Sequence, residues 1–93
     1  MKGYVMHTDE YEITTHREMI LCRKAIDRLK ASMRKREEEC GMSPDAILKA
    51  LEQDGAAERN PHLRNWREEC VELEIWEKRL RDYEESLQIL KGI

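Results

Sequence analysis

A row of apolar residues spaced three and four apart runs through residues 19–40. The row consists of Met19, Cys22, Ile26, Leu29, Met33 and Cys40, with Arg36 at the one position where an apolar residue is missing. Residues with this spacing share one side of an α-helix, so the row predicts a helix that packs lengthwise against another helix. The composition agrees, because 40% charged residues, 40% hydrophobic residues and only two prolines are typical of long-helix and coiled-coil chains.

A second apolar row follows residue 60 and predicts the partner helix. Its members are Leu63, Trp66, Cys70, Leu73, Trp76, Leu80, Tyr83, Leu87 and Leu90. The steps alternate between three and four except at Cys70–Leu73–Trp76, where two steps of three follow each other and locally overwind a coiled coil. Val71 and Ile75 widen the apolar surface at the same place. We expect another element or another subunit to cover this widened surface.

Residues that favour helix ends divide the chain into three predicted helices. The start signals are the capping box Thr15–Glu18, the pair Ser43-Pro44 and the pair Asn60-Pro61; the stop signals are Gly41 and Gly55. These signals predict helices over residues 15–40, 44–54 and 61–91, with residues 55–59 as a connector. We expect residues 15–91 to form a single helical domain and residues 1–14 to be a partly ordered N-terminal arm, with a helical extension back to about Thr8 as the alternative.

The order of the charges predicts that the two long helices run antiparallel. Residues 23–36 carry seven cations against Asp27 alone, and Glu37–Glu39 follow. The last helix has the reverse order, in which Arg64 and Arg67 precede Glu68, Glu69, Glu72, Glu74 and Glu77. Antiparallel pairing would bring Glu37–Glu39 near the two arginines and Arg36 near Glu69 or Glu72. Each exposed pair adds little stability, but together the pairs select this orientation.

The predicted fold is therefore all-α: an antiparallel helical hairpin of a long, a short and a long helix, similar to a coiled coil. Apolar residues remain outside its two rows, including Ile13 and Ile20, so we expect a homodimer that completes a four-helix-type bundle. The predicted function is a small non-enzymatic module for protein–protein interaction and oligomerisation. Its predicted contact residues, for a second copy or for another protein, are Ile20, Trp66, Val71, Leu73, Ile75 and Trp76.

The alternative function is a nucleic-acid-associated regulatory protein that uses the basic side of the first long helix. Its contact residues would be Arg28, Lys30, Arg34 and Lys35. The net charge of −3 supplies no overall positive field to attract nucleic acid, and no aromatic residue lies within the basic segment. We therefore favour a protein partner over nucleic acid.

One short segment resembles an enzyme family. Arg23-Lys24-Ala25-Ile26-Asp27 is similar to the Arg-x-x-Ile-Asp pattern in the first helix of the small all-helical chorismate mutases, which share the long–short–long helix order. The resemblance would imply a buried arginine and an acid that converge on a pocket. It covers five residues, and Lys30 stands where the family's next acid is expected. We expect a protein that is not an enzyme and has no catalytic residues.

The cysteines and histidines predict neither a cofactor nor a metal site. Cys22, Cys40 and Cys70 form no CxxC pair and leave an odd thiol, which favours a reduced, cytoplasmic protein. Glu12 and His16 lie one helical turn apart, but a metal site requires further converging ligands. No apolar stretch approaches the length that spans a membrane, so we expect no membrane contact.

Overall fold

The computed structural model describes the backbone of residues 2–92 and the side chains of residues 10–89. The helices are α1 (Lys2–Cys40), α2 (Pro44–Leu51), α3 (Ala56–Arg59) and α4 (Pro61–Gly92). The described residues are about 90% helical and contain no strand. The all-α prediction is confirmed.

The long helices α1 and α4 pack against each other. Later residues of α1 meet earlier residues of α4, as the contacts of Glu37 with Trp66 and of Ser32 with Glu69 illustrate. The predicted row of α1 is buried from Met19 to Met33, with each of its members at most 8% exposed. From the row of α4, Leu63, Trp66 and Leu87 are buried, while Cys70, Leu73, Trp76, Leu80 and Tyr83 are partly buried. The side chain of Leu90 lies outside the described residues.

The pair of long helices forms a rod. Its principal extents are 62 × 19 × 19 Å and its radius of gyration is 18.9 Å, whereas a compact domain of this length has a radius of gyration of about 12 Å. Because a rod two helices thick has no further layer, the sides of α1 and α4 that face away from each other are open to solvent.

Helix α1 begins well before the predicted start at Thr15. The predicted arm, residues 1–14, is helical from Lys2 onward, and Met1 lies outside the described residues. Thr15 is 3% exposed, and its hydroxyl donates a hydrogen bond to the carbonyl oxygen of Tyr11, 2.8 Å away. This bond to the preceding turn is typical of a threonine inside a helix. The capping-box prediction is therefore wrong. The Thr15 hydroxyl, which was expected to cap the start of a helix, bonds to the carbonyl oxygen of Tyr11 inside α1.

Gly41 ends α1, as predicted. Its φ of 65° is the left-handed conformation that glycine adopts most readily. The amide of Gly41 donates to Glu38 O (3.2 Å) and the amide of Met42 donates to Glu37 O (3.0 Å), which together form a Schellman motif. Ser43 then caps α2, since its side chain accepts a hydrogen bond from the amide of Ala46 at 3.2 Å. Only three residues thus separate the end of α1 from the start of α2.

The segment between α2 and α4 differs from the prediction. Helix α2 ends at Leu51 and not at residue 54, because the amides of Glu52 and Gln53 donate to carbonyls three residues back, which tightens the last turn. The predicted connector, residues 55–59, contains the one-turn helix α3. Ala56 and Ala57 are 8% and 5% exposed. Two alanines carry little hydrophobic signal in sequence, but their small side chains let this turn lie close against α4.

A cluster of buried side chains lies at the end of the rod where the chain turns. Ile47, with no exposed surface, packs there with Met33, Leu63 and Trp66. Partly buried residues complete this cluster: Met42, Ala50, Leu51, Cys70 and Leu73. Through Ile47, the short helix α2 therefore covers one end of the groove between α1 and α4.

Candidate interaction surfaces

A polar network beside this core cluster fixes the register of α1 against α4. The guanidinium Nε of Arg36 lies 2.6 Å from one carboxylate oxygen of Glu69, and the hydroxyl of Ser32 donates to the other oxygen. The indole Nε1 of Trp66 donates to Glu37 at 3.0 Å. The predicted contact of Arg36 with Glu69 is present. Because Ser32 and Arg36 both lie on α1, Glu69 can bind the two donors at only one position along that helix.

The other predicted pairs are absent among the described side chains. Arg64 and Arg67 are exposed, and no glutamate of the last turn of α1 lies within 4.0 Å of either. Each arginine follows a buried residue, Leu63 or Trp66, and one residue rotates a helix by about 100°. Both arginines therefore lie beside the face of α4 that packs on α1, where their side chains are exposed. In their place, His62 Nδ1 lies 3.7 Å from the carboxylate of Glu39.

Three of the predicted contact residues lie in or beside the groove between the helices. Trp66 is 3% exposed and belongs to the core cluster. Leu73 and Trp76 are partly buried, and the guanidinium of Arg79 lies 4.8 Å from the ring centroid of Trp76. Stacking of this kind covers one face of the indole. Within the chain these side chains stabilise the α1–α4 contact, and only the uncovered part of Trp76 is open to a partner.

The other three predicted contact residues lie on the surface. Ile20 on α1 and Val71 and Ile75 on α4 are each about half exposed, between 49% and 54%. Ile13 (52%) and Leu21 (53%) extend the exposed apolar surface of α1. The sequence interpretation missed Leu21. The signal was available, because Leu21 is apolar and lies outside the row, one position before Cys22.

We name two surfaces from these residues. The outer α1 patch consists of Ile13, Ile20 and Leu21, and the outer α4 patch consists of Val71 and Ile75. A large aliphatic side chain that stays half exposed contributes less free energy to folding than a buried one, because less of its apolar surface leaves water. Clusters of such side chains mark interaction sites more often than scattered single residues do. Further large exposed hydrophobic residues, namely Tyr11, Leu48 and Ile89, lie apart from both patches.

The basic residues of the alternative function lie on the surface of α1. Arg28, Lys30, Arg34 and Lys35 are all exposed. None of them lies within 4.0 Å of a carboxylate among the side chains of residues 10–89. Of the cations in residues 23–36, only Arg36 forms an ion pair with α4 among the described side chains. The remaining cations project into solvent along the rod.

The residues considered for chemistry do not converge. Arg23 is exposed, while Arg36 is partly buried and bound to Glu69. The two arginines lie thirteen residues apart, about 20 Å along a helix. His16 is exposed, and the side chains of His7 and Asp9 lie outside the described residues. Within the described part of the chain, no three His, Cys, Asp or Glu side chains form a group that could hold a metal ion.

Two of the three thiols lie in environments that disfavour the thiolate. Burial raises the pKa of Cys22, and Glu18 adds to this effect while Arg79 and Arg23 oppose it. Burial also raises the pKa of Cys70, with Glu74 and Glu77 acting in the same direction. All three cysteines are free. A thiol that stays protonated is a poor nucleophile and a poor metal ligand.

None of the helices, over the described residues, is long and apolar enough to cross a membrane. Comparison of the chain with known protein families, with curated proteins and with solved structures finds no match. Indications of function therefore come from the two outer patches and from the exposed cations of α1.

Proposed function

We propose that this protein is a non-enzymatic antiparallel helical hairpin that acts as a module for protein–protein interaction and self-association. The observation that carries the proposal is the pair of outer patches. Five large aliphatic side chains, on two helices that already share a buried groove, remain about half exposed. A second protein surface that covered them would supply the burial that the thin rod cannot supply itself.

A second copy of the chain is the partner that we favour, and a homodimer is the smallest assembly that results. A rod of 62 × 19 × 19 Å offers a long side for lengthwise contact between helices. Helices packed in this way form bundles whose stability comes from the added apolar contact. The reduced interior of a cell is the compartment that fits three free thiols.

Light scattering coupled to size-exclusion chromatography tests the proposal. Self-association predicts a mass above the 11.1 kDa of the single chain, rising with loading concentration. The variant Val71→Ser/Ile75→Ser should lower the mass towards that of the monomer. The control is Leu48→Ser, which replaces an equally exposed aliphatic residue on α2 and should leave the mass unchanged. A monomer mass at every concentration would overturn the proposal of self-association.

The exposed cations of α1 support a second candidate, binding of nucleic acid. Arg28, Lys30, Arg34 and Lys35 provide positive charge that no carboxylate among residues 10–89 pairs. Binding that depends on phosphate contacts weakens steeply as salt concentration rises. A gel shift with duplex DNA and with RNA at low salt should show a band that disappears in high salt and in the variant Arg28→Gln/Arg34→Gln. Without a band at low salt this candidate is excluded.

A further inference from the structure

The exposed surface of α1 over residues 23–35 is almost entirely positive, and we name this stretch the basic segment. Its exposed side chains include one acid, Asp27, and one uncharged residue, Ala31. All the others are cations, namely Arg23, Lys24, Arg28, Lys30, Arg34 and Lys35. Within this stretch, whose side chains are all described, no large hydrophobic residue is exposed. Protein interfaces depend on apolar anchors, whereas a polyanion binds through its charges, so this surface fits a polyanion.

Repulsion between the cations also favours an anionic ligand. Lys24 and Arg28 lie four residues apart, as do Lys30 and Arg34, and like charges at this spacing destabilise a helix. No cation of the basic segment lies within 4.0 Å of a carboxylate among residues 10–89. A polyanion placed against these side chains would remove the repulsion and stabilise this part of α1.

The cations form two rows on the outer side of α1. The rows consist of Arg23, Lys30 and Arg34, and of Lys24, Arg28 and Lys35. Steps of four and seven residues keep the members of each row on one side of the helix. The two rows are about 120° apart and extend for about 18 Å along the helix. Asp27 and Ala31 lie between them, opposite the buried residues Cys22 and Leu29.

The charges next to the basic segment leave the outer side of α1 positive. Glu37 and Glu39, which follow the segment, face Trp66 and His62, and Glu38 is exposed between them. Helix α4 packs on the opposite side of α1, and its exposed charges over residues 67–79 have both signs. They are Arg67, Glu68, Glu72, Glu74, Lys78 and Arg79. The positive field is therefore local, and with a net charge of −3 for the chain we expect binding that requires low salt.

We propose that the basic segment binds duplex DNA in the major groove. This inference rests on the second candidate function and specifies its ligand. The major groove of B-DNA is about 12 Å wide and admits an α-helix between two phosphate backbones, so each row of cations meets one backbone. The major groove of duplex RNA is too narrow and deep for this, and a single strand offers one backbone to two rows. Asp27 and Ala31 face the base edges and provide few contacts there, so binding is largely independent of sequence.

Fluorescence anisotropy at low salt tests the proposal with three labelled ligands: a duplex DNA about two turns long, and a duplex RNA and a single-stranded DNA of the same sequence. The duplex DNA should bind about tenfold more tightly than either of the others. The logarithm of its binding constant should decrease linearly with the logarithm of the salt concentration.

Variants that remove each row separately test the geometry. Lys30→Gln/Arg34→Gln removes two cations from the first row, and Lys24→Gln/Arg28→Gln removes two from the second. Each variant should weaken binding and reduce the slope against salt by about 2. Asp27→Asn, which removes the acid between the rows, should strengthen binding. Circular dichroism checks that every variant is helical.

The control variant Arg67→Gln/Lys78→Gln makes the same change in net charge at exposed sites of α4. It should change the affinity by less than about twofold, and a loss equal to that of the row variants would overturn the site.

The remaining outcomes distinguish this proposal from the candidate function on which it rests. If duplex RNA or single-stranded DNA binds as tightly as duplex DNA, the groove geometry is overturned while binding of nucleic acid stands. The groove geometry is also overturned if only one of the two rows affects the affinity. If polyglutamate displaces the DNA at equal charge concentration, the surface binds acidic chains in general and the proposal fails. Absence of binding to all three ligands at low salt overturns both the proposal and the candidate function.

Discussion

The indole nitrogen of Trp66 donates a hydrogen bond to the carboxylate of Glu37, which lies 3.0 Å away and 29 residues earlier in the chain. The bond ties the last turn of α1 to the first turns of α4. Glutamates at a helix C-terminus face the negative end of the helix dipole, at a cost of about 0.3–1 kcal/mol each when exposed. The indole N–H provides Glu37 with a partner, and it gives the 3% exposed Trp66 an acceptor for its one polar group.

Removal of this donor should destabilise the protein. We expect Trp66→Phe to lower the free energy of unfolding by about 2 kcal/mol, through loss of a partly buried, charge-assisted hydrogen bond and of ring volume. Glu37→Gln keeps an acceptor oxygen and should cost less than about 1 kcal/mol. Urea denaturation followed by circular dichroism measures both. Glu38→Gln, at an exposed neighbour, is the matched control, and an equal loss in all three variants would contradict the role of the bond.

The pair of Arg36 and Glu69 should contribute measurable coupling. Their side chains are 25% and 17% exposed, so solvent screens the pair only in part. A double-mutant cycle with Arg36→Ala and Glu69→Ala should give a coupling energy of about 1 kcal/mol, the upper end for exposed pairs. The coupling should decrease in about 0.5 M salt. The same cycle on the exposed residues Arg34 and Glu68 should give a value near zero, and similar values for both cycles would contradict the assignment.

Adjacent residues of α2 should differ sharply in their importance. Ile47 has no exposed surface, while Leu48 is 51% exposed. Ile47→Ala leaves a cavity in the core cluster and should cost about 2–5 kcal/mol. Leu48→Ala should change the free energy of unfolding by less than about 1 kcal/mol. The midpoints of urea denaturation compare the two variants directly, and comparable losses would show that α2 does not cover the groove in this orientation.

The raised thiol pKa values predict a loss of stability at alkaline pH. The folded state holds the protons of Cys22 and Cys70 more tightly than the unfolded chain does. The resulting stabilisation is therefore complete below the unfolded thiol pKa of about 8.5 and decreases as the pH rises above it. Cys22→Ala/Cys70→Ala should flatten this decrease between about pH 8.5 and pH 10, although it lowers stability at pH 7.

The comparison between variant and wild type at each pH separates the contribution of the two thiols from that of the rest of the protein. Urea midpoints measured for both proteins at each pH provide the readout. A variant whose stability falls as steeply as that of the wild type would show that the two thiols do not contribute. Cys22→Ala alone should account for a share of the effect, since its side chain is fully buried.

The sequence predicts the buried row of α1 because helical periodicity alone determines it. Every residue of the row from Met19 to Met33 is buried. The contact of Arg36 with Glu69 was also predictable, since an arginine within an apolar row requires an acceptor on the facing helix. The charge order predicted which parts of α1 and α4 meet, but the ion pairs expected for Arg64 and Arg67 are absent among the described side chains. Charge by segment ignores rotation about the helix axis, which decides where a side chain points.

Other features depend on contacts that no local pattern records. Thr15 has the sequence of a cap but lies inside a helix, because the residues before it continue the helix. The turn at Ala56 and Ala57 becomes helical and buried through its contact with α4. The outer patches were predicted in part, as residues left over from both rows. Their placement on opposite sides of the rod required the packing of α1 on α4.

The position of the core cluster, at the end of the rod where the chain turns, has a consequence for the order of folding. Contacts there join residues that are close in sequence: the separation is 29 residues for Trp66 and Glu37, 33 for Arg36 and Glu69 and 37 for Ser32 and Glu69. Separation increases steadily towards the chain ends, and the entropy lost on closing a loop increases with it. We expect the long helices to join first beside α2 and then to zip towards the termini, so that the far end of the rod is the last part to form and the first to exchange its amide hydrogens.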